Sequence, residues 1–336
     1  MADKTKKAKP QLKKKKLLEL AGLDFGTGEL KAVRLKKGKQ SLSLESIETI
    51  PFDLSSDESL SLPNSLSPNY AALSFSSDRA VSRVVSTVLK GDAEGMEEDA
   101  LRESLNVDES FRVGSKIITR ARGKNESSVL GVAIPEGDVK RMLTLFESGP
   151  PAAHAIEISF LSALNSYFLL QPEVSHEGVF CFLELGASSS SFAFVSDGDV
   201  MLLGRSNVGG NHIKKRIQTS LGLDEGLAQD LLLDKSVDIS SPVHEILGSF
   251  LRQLSISRDF MTRRTDSAVS KIILSGGMCA SPYMVDAFSE LFGMQAQLWN
   301  PFEHLEMATP LSEELATQKY RFAAAIGAAA GGLLQQ

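Results

Sequence analysis

Cysteine is nearly absent from this chain of 336 residues, which carries only Cys181 and Cys279. Two are too few for a disulfide framework or a thiolate metal cluster, and such usage fits a reducing cytoplasm. Histidine is also scarce. His154, His176, His212, His244 and His304 show no metal-site spacing and no pairing with a nucleophile, so surface or packing roles are expected. The run Ser188 to Ser191 lacks a nucleophile-elbow pattern and reads as a small-residue turn. No segment reaches the roughly 20 apolar residues of a spanning helix. The best candidate, Ala323 to Leu334, is short and rich in Ala and Gly.

Positive charge is confined in an informative way. The net charge is −6, yet the first sixteen residues hold eight lysines and one aspartate, so the remainder is acidic. An acidic body excludes nucleic acid as the expected partner. The tail, Lys4, Lys6, Lys7, Lys9 and Lys13 to Lys16, resembles the basic part of a signal peptide, but Glu19 and Asp24 interrupt the apolar run that should follow. Export is not expected. Residues 1–16 read as a disordered Lys-rich tail, for which weak contact with an anionic membrane surface is the functional reading.

Within the body, Leu23 to Gly38 aligns without a gap with Leu183 to Gly198, at a constant offset of 160 residues. In each copy an apolar run reaches a carboxylate, Asp24 or Glu184, and a Gly follows two residues later, Gly26 or Gly186. Alternating apolar residues then lead to a second Gly. Each copy therefore reads as a β-hairpin pinned by a tight turn, and the chain as two related domains, which its length can supply with separate cores. Backbone N–H groups gathered at such turns make anion-binding concavities. Two facing turns suit a polyphosphate, with a carboxylate beside each to hold the accompanying Mg²⁺.

Strand-rich sequence occupies residues 17 to 54, followed by a Ser/Pro/Asn loop at 55 to 69. Helices are expected at Arg79 to Leu89 and Met96 to Leu105, and strands at Phe111 to Arg120 and Ser128 to Ile134, joined by the turn Arg122 to Asn125. A further helix carries Val139, Met142, Leu143 and Phe146 on one stripe and stops at Gly149. This block, 79–150, reads as a small α/β subdomain inserted into the first domain. The second half gives strands at 179 to 186, 192 to 196 and 199 to 208, and helices near 211 to 221, 224 to 234 and 243 to 264. The strand from Lys271 then ends in Gly276-Gly277-Met278 before the helix Tyr283 to Phe292, and a Gly-Gly turn at a helix start admits close approach of an anionic or flat ligand.

In this order, the three segments resemble the actin-like ATPase superfamily. Asp24-Phe25-Gly26-Thr27-Gly28-Glu29-Leu30-Lys31 matches its first phosphate loop, Gly186-Ala187-Ser188-Ser189-Ser190 its second, and Gly276-Gly277-Met278 its adenosine motif. Within the superfamily the likeness is to PilM, the cytoplasmic actin-like protein of type IV pilus assembly, which is similar to FtsA. It rests on Gly149-Pro150-Pro151 through Ile158, Val208-Gly209-Gly210-Asn211 and Trp299-Asn300-Pro301-Phe302. The resemblance implies an α/β fold of actin-like (ribonuclease H-like) type. Residues 17–170 with the insertion would form the first domain, completed by a C-terminal helix within 312–334, and 171–311 the second. It also implies ATP and Mg as ligands, with Asp24, Gly26, Thr27, Gly28, Lys31, Glu184, Gly186, Ser188, Ser189, Gly209, Gly210, Gln229, Gly276, Gly277 and Met278 contacting nucleotide and Asp24 and Glu184 the metal.

Departures from the family pattern bear on activity. Glu184 replaces an aspartate, and its extra methylene disturbs Mg²⁺ geometry. Ser159 stands where a second acid follows Glu157 in the family, leaving no group to orient attacking water. In Ala228-Gln229-Asp230-Leu231-Leu232 the family's lysine is Leu232, though Gln229 retains a hydrogen bond for ribose. Hydrolysis is therefore expected to be negligible, with no catalytic residue and nucleotide as a structural ligand. The resemblance further implies a cytoplasmic scaffold peripheral at the inner membrane. It would bind the cytoplasmic N-terminal peptide of a PilN-like inner-membrane protein in a groove beside the inserted subdomain, and self-association accompanies the family reading. Two alternatives remain: a small-molecule kinase, which needs a catalytic carboxylate near the cleft, and an FtsA-like filament former, which needs an amphipathic helix where this sequence reads Gln335-Gln336.

Overall fold

The structure is a computed structural model and describes residues 16–39, 41–54, 59–89, 95–119, 126–146, 150–308 and 310–334. The lysine tail up to residue 15, the turn Arg122 to Asn125, Gly149 and part of the loop at 55 to 69 lie outside the described residues. The chain opens with β1 (Glu19–Phe25), β2 (Glu29–Lys37), β3 (Leu42–Pro51) and β4 (Tyr70–Phe75). The insertion follows as β5 (Val81–Thr87), α1 (Glu98–Leu105), β6 (Phe111–Thr119), β7 (Ser127–Pro135) and α2 (Glu136–Thr144). After β8 (Ala152–Ile158), α3 (Ser159–Leu170) and the single turn α4 (Pro172–Ser175) come β9 (Val179–Leu185), β10 (Ser190–Ser196) and β11 (Asp199–Ser206). Three helices, α5 (Gly210–Leu221), α6 (Glu225–Leu233) and α7 (Ser240–Thr265), precede β12 (Lys271–Ser275), α8 (Pro282–Phe292) and β13 (Gln297–Leu298). The chain closes through β14 (Leu305–Met307), α9 (Glu313–Thr317) and α10 (Ala323–Leu334).

Two sheets repeat one topology. The first runs β14-β3-β2-β1-β4-β8 and the second β11-β10-β9-β12-β13. In each, two antiparallel hairpin links precede two parallel crossovers: β1 pairs β2 antiparallel and β4 parallel, as β9 pairs β10 and β12. Corresponding strands thus occupy corresponding places, the structural form of the offset seen in the sequence. β14 adds to β3 of the first sheet, although it falls within 171–311, the stretch expected as the second domain.

Both faces of the inner strands are covered, as parallel crossovers require. Along β9, Phe180 and Phe182 face α3 and α10, while Val179, Cys181, Leu183 and Leu185 face the layer of α5 to α8. The Ala/Gly composition of α10 has a packing cause. A side chain at Gly22 of β1 would stand 1.9 Å from the carbonyl oxygen of Ala325, and one at Gly327 would stand 1.8 Å from that of Ser162 in α3. Only small residues let α10 lie this close to both.

The insertion forms a separate sheet, β5-β7-β6, with α1 burying Leu101 and Leu105 on it. Residues 79–89, expected as a helix, contain strand β5 instead. The β-branched Val81, Val84, Val85 and Thr87 pair with β7 from Val81↔Ala133 to Thr87↔Ser127, and cross-strand packing outweighs the helical spacing. In α2, Val139 and Met142 are buried whereas Leu143 is exposed.

Candidate functional site

Strand register places Asp24, near the end of β1, between Lys31 of β2 and Ser74 of β4. Register likewise places Glu184 of β9 between Ser191 of β10 and Ser275 of β12. The two carboxylates are therefore equivalent by position, but the counterpart of Lys31 is a serine. Asp24 is 6% exposed, and its Oδ1 accepts the hydroxyl of Ser74 at 3.1 Å and that of Ser159, the first residue of α3. Burial raises its carboxyl above the usual range, against the pull of Lys31 and the two hydroxyls. Glu184 has Ser191 across the strand pair. Burial and then the charge of Asp24 push its carboxyl up to about 8, with only a weak opposing pull from Lys31.

A cleft of about 290 Å³ lies between the two hairpin turns. Its lining brings together Asp24, Gly26, Thr27, Gly28, Lys31, Glu184, Gly186, Ser188, Ser189, Gly276 and Gly277. Gly28 adopts φ +78, with open space where a side chain would begin. Gly276 has φ +94, and a Cβ there would meet the Leu185 backbone at 2.5 Å, so the Gly-Gly turn is pressed against β9. Four expected residues stay outside the lining. Gly209 and Gly210 pack beneath the second turn, Gly210 N–H donating to the Gly186 carbonyl at 3.1 Å. Met278 is buried against Gly210, and Gln229 lies on α6 away from the cavity.

Sequence reasoning missed Glu29, Asp53, Ser76 and Arg321 on the cleft wall. Glu29 Oε1 receives Lys31 Nζ at 3.1 Å and pairs with Arg321, which precedes α10. Burial works to raise the Glu29 carboxyl, but the two cations outweigh it and hold it below the usual range. No local motif marks Arg321. Its place is fixed by the segment 319–322, where the Tyr320 carbonyl accepts Gly276 N–H at 3.2 Å and Ser275 Oγ at 3.2 Å. The cleft mouth is bridged by Arg205 of β11, which donates to the Ser77 carbonyl at 2.5 Å and to Asp78 at 2.7 Å.

These residues fit a polyphosphate with a divalent cation. The glycine turns leave room for close approach, Lys31 and Arg321 supply charge, Thr27 and Ser188 supply hydroxyls, and Asp24 stands near enough to Glu184 to shift its titration. The Ser159 hydroxyl is committed to Asp24 within this cleft.

A second cavity, of about 520 Å³, opens where the inserted sheet meets β8, α3 and the start of β11. Ile117, Ile134, Ile156, Leu161 and Phe168 make it apolar. Glu157 lies in its wall, accepting Ser162 Oγ at 2.5 Å, with a carboxyl raised by burial against that hydrogen bond.

Paired ribonuclease H-like lobes with facing turns and a crossing terminal helix define an actin-like ATPase fold. The chain belongs to the family described as Type IV pilus assembly protein PilM, whose model matches residues 124–332. A search of curated protein sequences gives no significant match. Among solved structures, a PilM-PilN type IV pilus biogenesis complex superposes with a TM-score of 0.77 and 18% identity over 94% of this chain and 98% of that one. Ethanolamine utilization protein EutJ from Carboxydothermus hydrogenoformans has a TM-score of 0.48 and 9% identity, over 93% and 89% of the two chains. An archaeal actin homologue has 0.45 and 11%, over 95% and 100%. No helix among the described residues is long and apolar enough to cross a membrane.

Proposed function

We propose that this PilM-family protein is a cytoplasmic scaffold, peripheral at the inner membrane, that captures the N-terminal cytoplasmic peptide of a PilN-like protein in the groove between β6, β7, β8 and α3. The apolar groove carries the reading. Its size and lining suit a short segment docking by apolar anchors, with Glu157 and the exposed Lys116 able to meet polar groups of the bound chain. A solved protein of the same fold is a PilM-PilN complex, which supports the choice of partner.

In the cleft, Mg²⁺ and ATP act as a structural ligand. Bound there they supply charge that joins the two turns. Asp24 would hold the metal's water shell, Lys31 and Thr27 the phosphates, and the Gly276-Gly277 turn the adenosine side. Glu184, protonated at neutral pH, must give up its proton before it aids the cation. The domain division at 17–170 and 171–311, with α10 completing the first, belongs to the same reading. The groove wall includes Gly198 and Val200 from the second half, so a bound peptide would touch both domains. The Lys-rich tail adds weak contact with an anionic membrane.

Hydrolysis is negligible in this reading, because Ser159 is committed to Asp24 and orients no water. The same commitment disfavours a kinase. Titration of the purified chain with a partner N-terminal peptide, with and without MgATP, tests the scaffold role, and phosphate release on the same sample tests the inert nucleotide. Absence of peptide binding in both states overturns the first, and steady turnover overturns the second.

A further inference from the structure

A basic, leucine-bearing edge stands at the end of the first sheet remote from the cleft. Hydrogen bonding ties Lys37 N–H to the Leu18 carbonyl at 2.7 Å, and Lys37 Nζ donates to the Leu333 carbonyl at 2.7 Å. The start of β1, the end of β2 and the end of α10 therefore meet at one place. Lys16, Lys36, Lys37 and Lys39 are all exposed there. So are two leucines flanking Lys37: Leu18 is 67% exposed and Leu334 40%. Among the described residues two acids share this edge, Glu19 paired with Arg34 and Glu306 accepting the Ser41 hydroxyl at 2.5 Å, and the four lysines outnumber them.

We propose that this edge is a docking surface for an anionic lipid bilayer, with the lysines on the headgroups and Leu18 and Leu334 entering the interface. The inference deepens the tail contact proposed above and rests on it, because seven further lysines lie between residues 4 and 15, just before Lys16 in the sequence. Charge complementarity selects the occupant. Juxtamembrane lysines are drawn to an anionic leaflet, and their alkyl stems cover apolar surface while the amines stay wet. A nucleic acid would use the charge but leave the leucines idle.

Two further relations agree. Asp24 lies near the far end of β1 from Leu18, about 20 Å away at strand rise, so a docked protein keeps its cleft open to solvent. At the end of α3, Leu169 lines both the peptide groove and the small basic pocket formed by Lys37, Lys39 and Leu334. A peptide leaving the groove there would emerge beside the membrane that anchors its parent chain.

The test is co-sedimentation of the full chain with vesicles of equimolar phosphatidylglycerol and phosphatidylcholine, with pure phosphatidylcholine as control. Edge lysines are neutralised in a Lys36→Gln/Lys39→Gln variant and tail lysines by Gln at positions 13 to 15. Wild type should partition to the anionic vesicles only, and salt should release it. Each edge lysine removed should weaken partition about fivefold, with Tm unchanged, and Leu18→Ser should weaken it further. Should the edge variant partition like wild type while the tail variant does not, the edge is overturned and the tail contact stands. No partition of the wild type overturns both, and equal retention on duplex DNA without vesicle binding reassigns the surface to polyanions at large.

Discussion

Glu29 and Arg321, one beside the first glycine turn and the other just before the last helix, form an ion pair at the cleft wall, and Lys31 reaches the same carboxylate oxygen at 3.1 Å. The chain thus supplies its own anion to the two cations best placed for phosphates. A nucleotide must compete with it. Both pairs are largely covered, Lys31 most of all, and their geometry decides where incoming charge can sit.

Glu29→Gln should accordingly tighten MgATP binding, by about tenfold if releasing the cations is worth roughly 1.4 kcal/mol. Isothermal titration of variant and wild type measures this directly. Without nucleotide the variant should lose a little Tm, because Arg321 and Lys31 are left with weaker partners. An affinity equal to or below that of wild type would show that the carboxylate does not obstruct the phosphate seat.

Ser159→Ala removes one of two hydroxyls that Asp24 Oδ1 accepts in a buried setting. A buried carboxylate short of a donor costs about 1–3 kcal/mol, so thermal unfolding should reveal the loss. Ser159→Asp should be worse, since it sets a second buried carboxylate against Asp24. Neither substitution should start phosphate release, because positioning of water needs more than one side chain.

The repeat itself was legible because both turns sit at the same offset in the chain and hairpins are local objects. Long-range neighbours were not. Nothing near Arg321 in the sequence announces that it meets Glu29, and the resemblance that pointed to Gln229 and Met278 as nucleotide contacts carried no account of how α6 and the buried side of the Gly-Gly turn lie outside the cleft lining. Strand β5 was misread for a related reason. Val81 and Val84 at three-residue spacing mimic a helix, and only pairing with β7, itself distant in sequence, makes them a strand. Lys31 and Ser191 show the opposite case. Their equivalence follows directly from the offset, and it explains why two carboxylates in like positions titrate differently.

Gly327 offers a stability test of the closing helix. A Cβ there would lie 1.8 Å from the Ser162 carbonyl oxygen, so Gly327→Ala must push α10 off α3. The cost should be about 3 kcal/mol, the upper end for overpacking, because backbone and not side chain is the obstacle. Denaturant unfolding gives the number. Gly137→Ala in α2, where a Cβ would meet open space, serves as the control and should be neutral or slightly stabilising.

In the peptide groove, Ile118 of β6 is half-buried, lines the cavity and packs beside the core that holds α3. Ile118→Asp places a charge on an apolar wall at a position open to the cavity, so folding should survive while capture of a partner peptide falls about tenfold or more. Fluorescence anisotropy with a labelled peptide reads the loss. Retention of full affinity would move the peptide elsewhere on the protein.

Glu184 carries the clearest pH dependence. Its carboxyl is raised from an ordinary 4.5 to about 8 by burial and by Asp24, so the folded state binds a proton that the unfolded chain releases. Stability from this residue is therefore undiminished below about pH 4.5 and falls as pH rises toward 8. Glu184→Gln, which cannot ionise, should match wild type near pH 4.5 and exceed it at pH 8. Discounted for the partial exposure of the side chain, the gain is about 2 kcal/mol. Mg²⁺ with nucleotide should reverse the order at pH 8, because a cation held by the ionised carboxylate stabilises wild type and finds a weaker ligand in the amide. Thermal unfolding at both pH values, with and without MgATP, separates the two effects. A Glu184→Gln curve parallel to wild type across the range would mean that Glu184 is ionised in the folded protein at neutral pH.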